Sequence, residues 1–279
     1  MSNWGVLGAL LCFNLLLGTA CSVDSPHHHY ALAERFWGDK NYAAAVAEFE
    51  RVVAKDPSSG LAQQALFRAA TTQALFLGQY SEAVQKLRTF IQKSSDIQLI
   101  WSAQTQIGDL LYSSLENYEQ SILHDQGLLK AYPHSDEAPS FYFRIGKSHF
   151  FLFQFSEALQ TYQRMIEKYP KTIWSEKASF EVGMTYYTRG QRQLGAKEGD
   201  ASDFRRAISA YEHLIRDYPK SELISEARFG IASCLEELDQ LEEAFRIYSE
   251  LKKTYPSPNV IEIKLIRIRE RMAHRRSKR

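Results

Sequence analysis

SDEAPSFYFRIGKSHFFLFQFSEALQTYQRMIEKYP, residues Ser135–Pro170, reads as one helical hairpin. Gly146 stands where a first helix needs a small residue and Ala158 where a second helix needs one, and Tyr169-Pro170 closes the unit because a proline cannot continue a helix. Small residues let two helix backbones approach, while large residues at three- and four-residue spacing face a neighbour. One such hairpin cannot bury its apolar face alone, so the pattern has to recur.

It recurs on both sides. Closing dipeptides stand at Asp56-Pro57, Tyr132-Pro133, Tyr169-Pro170, Tyr218-Pro219 and Tyr255-Pro256, and twelve positions before each proline lies a small residue: Ala45, Ser121, Ala158, Ala207 and Ala244. Between Pro57 and Pro133 a hairpin without its proline fits, closing at Ser94-Ser95 with Ala83 in register. Small residues of the first helices recur thirteen after a closing position, at Ala70, Gly108, Gly146, Gly183 and Ala232, with Ala33 ahead of them. Six units follow, with a period of 37 or 38 residues. Between Pro170 and Pro219 the period stretches to 49, and the extra residues fall in the polar run Gly190–Ser202, expected as a longer turn inside one hairpin.

Repeats of this length, with paired helices and a closing proline, resemble tetratricopeptide repeats. The resemblance implies an all-α, tetratricopeptide-repeat superhelical solenoid of about six helical hairpins plus a C-terminal helix. Its concave face would be lined by first helices and hold a peptide or a partner element. Phe67, Phe141, Phe143, Phe180 and Phe229, all on first helices, read as core.

Composition fits one repeat domain: 279 residues, 44% hydrophobic and 24% charged. The formal charge of +1 conceals an uneven distribution. Residues 260–279 hold eight Lys/Arg against two Glu, leaving 26 Lys/Arg and 31 Asp/Glu for the rest. A uniform polyanion-binding surface is not expected, nor is a nucleic-acid partner, and any basic contact is confined to the C-terminal helix.

Gly5–Ala20 is almost wholly apolar, too short for a comfortable membrane span, and ends in small residues before Cys21. It reads as an export signal over residues 1–20. The segment LLLGTAC resembles the signal of a bacterial lipoprotein, which implies diacylation of Cys21, and Ser22 resembles the pattern sorted to the outer membrane. An ordinary cleaved signal with an incidental cysteine is the alternative. Residues 21–26 would be a lipidated tether, 27–256 the repeat solenoid and 257–279 a basic amphipathic C-terminal helix.

Cys12 would leave with the signal, so Cys234 remains as a single thiol in a helix and no disulfide framework can form. His27-His28-His29 reads as a solvated edge ahead of the first helix, since consecutive imidazoles project in different directions. No phosphate loop, HExxH, GxSxG or dinucleotide GxGxxG occurs, and Gly195–Asp200 lacks the strand and Lys-Ser/Thr that phosphate binding needs. The acid pairs Glu236-Glu237 and Glu242-Glu243 read as solvated helix positions. No catalytic residue, metal or cofactor is expected, and the chain does not read as an enzyme.

After Pro256, Ile261, Leu265, Ile268 and Met272 fall on one helical face, while Lys264, Arg267, Arg271 and Arg275 fall on others. The body of this helix reads as a solenoid cap. Lys264, Arg267, Arg271, Arg275 and Arg276 are the candidate partner-binding residues.

A signal ending at Cys21, followed by Tyr132-Pro133-His134-Ser135, Tyr169-Pro170-Lys171-Thr172 and Tyr218-Pro219-Lys220-Ser221, with Ala178, Phe180 and Gly183 or Ala227 and Phe229 following, resembles the BamD family of outer-membrane assembly lipoproteins. That resemblance implies a non-catalytic scaffold, lipid-anchored at the periplasmic leaflet of the outer membrane. Its partners would be a BamA-type barrel insertase held by the C-terminal units, other assembly lipoproteins, and unfolded outer-membrane proteins received in an N-terminal groove. A periplasmic adaptor resembling the Tol-Pal repeat protein, and an accessory lipoprotein of a secretion or motility complex, are the alternatives.

Overall fold

The computed structural model describes residues 24–193 and 201–277. The expected export signal and Cys21 lie outside them, as do Lys278 and Arg279. Among the described residues the chain is helical and contains no strand. Its helices are α1 (Pro26–Gly38), α2 (Tyr42–Lys55), α3 (Gly60–Thr72), α4 (Tyr80–Lys93), α5 (Ile97–Asp109), α6 (Tyr118–Ala131), α7 (Ala138–Phe151), α8 (Phe155–Lys168), α9 (Ile173–Gln193), α10 (Ser202–Asp217), α11 (Ile224–Glu237), α12 (Leu241–Leu251) and α13 (Pro258–Ser277). They form six hairpins in the expected order, with α13 left over. The chain divides into two compact units, Met1–Ala103 and Gln104–Arg279, with the boundary inside α5.

Every small residue picked out by spacing is buried: Ala33, Ala45, Ala70, Ala83, Gly108, Ser121, Gly146, Ala158, Gly183, Ala207, Ala232 and Ala244. In the first unit α1 packs on α2 and α2 on α3, around Ala33, Ala45, Phe49, Val52, Ala65 and Ala69. In the second unit the same order runs from α6 to α13. There Gly146 and Gly183 face the rings of Tyr162 and Tyr211, and an added Cβ would lie 2.4 and 2.5 Å from them. Tyr162, Tyr211 and Tyr248 each stand four residues after the small residue of a second helix and are essentially fully buried.

Three residues before the first-helix small residue, in five of the six hairpins, an aromatic side chain packs against a ring of the following second helix; hairpin three has Thr105 there. The pairs are Tyr30–Phe49, Phe67–Phe90, Phe143–Tyr162, Phe180–Tyr211 and Phe229–Tyr248, with centroids 5.4, 5.2, 6.1, 5.6 and 5.4 Å apart. The core reading of Phe67, Phe143, Phe180 and Phe229 thus acquires a common geometry, and Phe141 is 1% exposed.

The turns obey a finer count. A residue with positive φ stands five positions before the second-helix small residue in five hairpins: Lys40, Gly78, Glu116, Phe153 and Asp239, with φ of 60, 64, 48, 59 and 60°. From first to second small residue the separation is twelve in hairpins one, four and six, but thirteen in hairpins two and three. Those two hairpins are the ones that contain a π-helical turn, at Gln73–Leu77 and Leu110–Ser114. A π-turn takes up one extra residue without breaking the helix, so the surplus stays in the first helix and the turn keeps its geometry.

Two expectations are corrected. The added residues of hairpin five do not all lie in its turn: α9 continues to Gln193 and α10 starts at Ser202, with 194–200 outside the described residues. Gly190 is inside α9, where an added Cβ would lie 3.1 Å from the Phe204 ring, and the neighbouring Arg189 pairs with the buried Asp203 at 2.6 and 2.7 Å. The histidine triplet is not wholly solvated either. His27 and His28 are exposed, but His29 is buried, with Nδ1 2.6 Å from Glu48 Oε2 and Nε2 3.1 Å from Asp24 Oδ1. Lys55 and then His29 hold the Asp24 carboxyl below its ordinary value.

Candidate functional site

The second unit carries a groove of about 500 Å³ lined by Asp109, Tyr112, Phe141, Phe143, Arg144 and Trp174, with Asp136 and Glu137 from the α6–α7 loop at its edge. First helices α5, α7 and α9 supply the walls, because their second helices occupy the other side of each hairpin. Phe143 and Trp174 meet at 5.3 Å, and Lys177 lies over the Trp174 ring at 4.9 Å. Burial, above all, pushes the Tyr112 hydroxyl up to about 12.

Arg144 is held from below. Its Nε and Nη2 donate to the two oxygens of Asp125 at 2.6 Å each, and its Nη1 donates to Asp109 Oδ1 at 2.5 Å. Burial raises the Asp125 carboxyl, against the pull of the guanidinium. Asp125 stands four residues after Ser121, at the register that Tyr162, Tyr211 and Tyr248 fill in later hairpins. Gly108 opposite makes room for the guanidinium: an added Cβ would sit 2.2 Å from Arg144 Nη2. An acid at the position where four of the other five hairpins place an aromatic is the sign of this pairing in the sequence. The groove thus has an aromatic floor and a fixed, neutralised cation, suited to an extended peptide.

The predicted basic residues of α13 converge instead of spreading. Glu236 on α11 is 1% exposed, and Lys264 lies 3.1 Å from its Oε2, Arg271 3.5 Å from its Oε1, with Arg267 paired to it as well. Arg271 also donates to Asp239 Oδ1 at 3.2 Å, and Arg275 pairs with Asp239. Arg276 is exposed. Four of the five candidates therefore clasp α13 to the last hairpin, while Arg267, Arg271 and Arg275 remain 51, 42 and 40% exposed. Reading Glu236 as solvated is corrected: it lies four residues after Ala232 and shares that residue's buried face. Ile261, Leu265 and Ile268 are buried and Met272 packs beside them, as the spacing required.

Cys234 is buried, and desolvation pushes its thiol up to about 12, so it is a packing residue. Among the described residues no cluster of potential metal ligands forms, and no helix is long and apolar enough to cross a membrane.

Paired helices with buried small residues at each crossing, a positive-φ turn and first helices lining a groove define a tetratricopeptide-repeat protein, and a tetratricopeptide-repeat profile matches residues 64–96. Solved structures agree on the fold. The C-terminal part of a repeat-containing protein from Cytophaga hutchinsonii is 20% identical, with 88% of this chain and 86% of that one covered and a TM-score of 0.59. PilW, described as a widely conserved type IV pilus biogenesis factor, is 15% identical, with 87% and 97% covered and a TM-score of 0.51. No curated protein matches the sequence. The YfiO family of outer membrane lipoproteins matches residues 114–266, more than half of the sequence, and the chain belongs to that family.

Proposed function

We propose that the chain is a non-catalytic scaffold of the outer-membrane protein assembly machinery, anchored through a lipidated Cys21 at the periplasmic leaflet. The observation that carries this reading is the family match over residues 114–266. The groove of α5, α7 and α9 would receive an extended segment of an unfolded outer-membrane protein, and α13 would meet a BamA-type barrel insertase. Other assembly lipoproteins complete the set of partners. The groove supports a binding role because it offers aromatic surface and a neutralised cation.

The test is affinity purification of the full-length protein from detergent-solubilised membranes, with mass spectrometry of the companions and of its N-terminal peptide. A barrel insertase together with diacylated Cys21 is the expected result. Recovery of Tol-Pal, wall-synthesis, secretion or motility proteins without an insertase would overturn it.

A further inference from the structure

A solenoid normally ends in a helix whose outer face is polar, because no further unit covers it. α13 departs from that rule. Besides its buried stripe it carries a second apolar row, Val260, Ile263 and Ile266, which are 41, 66 and 48% exposed. The residues step by three along the helix, so they form one continuous ridge.

Repeat register says what kind of group such a ridge meets. Thirteen residues after the closing Pro256 is Arg269, and three before that is Ile266. Ile266 therefore occupies the place of Tyr30, Phe67, Phe143, Phe180 and Phe229, each of which packs on a ring of its own second helix. α13 has no second helix of its own among the described residues. Arg269, over the Phe245 ring at 5.2 Å, stands where the other hairpins have Gly or Ala. A helix packed as closely as the second helices are would meet that guanidinium, which a carboxylate suits.

Charge along the ridge points the same way. Arg269 follows Ile266 by three residues and the half-exposed Arg267, paired with Glu236, follows Ile263 by four; the acids beside the ridge are Glu262, which pairs with Lys252 at 3.5 Å, and Glu270, so the helix keeps an excess of cations. Two copies of α13 packed face to face would bring these arginines together, which disfavours self-association.

We infer that Val260, Ile263 and Ile266 form a docking ridge for an amphipathic, acidic helix of another polypeptide, and that the α13 cations facing Glu236 and Asp239 serve to hold the ridge in place. The partner's apolar residues cover the ridge and a carboxylate of the partner meets Arg269. This rests on the assembly reading only for the identity of the partner.

Two variants of the full-length chain separate the roles. Ile263→Asp with Ile266→Asp should leave the melting temperature within about 2 °C of the parent, since both side chains are already exposed. It should reduce co-purifying insertase by about tenfold or more. Arg271→Glu with Arg275→Glu should lower the melting temperature by undocking α13. Insertase retained at the parental level by the Ile263→Asp/Ile266→Asp variant would overturn the ridge. If the parent itself recovers no insertase, the assembly reading fails while the ridge remains testable. In that case benzoylphenylalanine placed at 263 and at 266 of the full-length chain in the cell envelope should crosslink to an acidic, amphipathic helical segment of a different polypeptide. No crosslink, or one to lipid, to a second copy or to a segment without acids, overturns it.

Discussion

A methyl group added at Gly146 would press on the ring of Tyr162, which is fully buried and cannot swing aside. Gly146→Ala should therefore destabilise the chain by about 1–3 kcal/mol. Gly127 provides the contrast, since it sits in helix α6 with nothing within 4 Å of an added Cβ. Gly127→Ala should stabilise by about 0.5–1 kcal/mol. Urea unfolding of both variants checks the pair, and equal effects would sink the packing argument. Glu236→Gln removes the carboxylate that three cations share and should cost about 1–3 kcal/mol, because the amide cannot replace a charge-assisted partner. Cys234 yields a prediction in pH. Its folded thiol is raised from about 9.0 to about 12, so its contribution to stability is complete below about pH 9 and is lost as pH rises toward 12. Native protein at pH 8 should resist alkylation at Cys234 and become reactive in denaturant, as mass spectrometry would record.

Helices were legible wherever packing forces a residue type. Every crossing residue chosen by spacing is buried, because close approach of two backbones tolerates nothing large. What escaped the reading was polar: Asp125, Glu236 and His29 are buried by pairing with groups distant in sequence, and no local period announces such partners. The π-turns also escaped, although the separation of thirteen in place of twelve is their sign. They support a direct test. Leu75, 70% exposed, lies in the π-turn that takes up the surplus residue of hairpin two. Its deletion should turn the π-turn into ordinary α-helix and leave the melting temperature within about 3 °C of the parent. Deleting Leu152 from hairpin four, which has no residue to spare, should unfold that hairpin. Circular dichroism melts of the two deletions should differ sharply.

At the scale of the whole molecule, the family match over residues 114–266 takes in the α7 and α9 walls of the groove and the part of α13 up to Ile266, while Asp109 and Tyr112 precede it. Arg144 ties three helices together through Asp109 and Asp125, so Arg144→Ala should cost about 2–4 kcal/mol by leaving Asp125 buried without its partner. The loss is to be read in thermal melts before any binding assay on that variant is interpreted. The constant five-residue distance from turn to second-helix crossing has a further consequence, which concerns descent. In hairpins two and three the single extra residue lies on the first-helix side of the turn, and the turn-to-crossing distance of five is kept. Second helices thus keep a conserved ruler within one molecule, and diverged copies of the unit are best aligned from the turn forward. Counted from the other end, two ancestral duplicates differing by one residue would look unrelated.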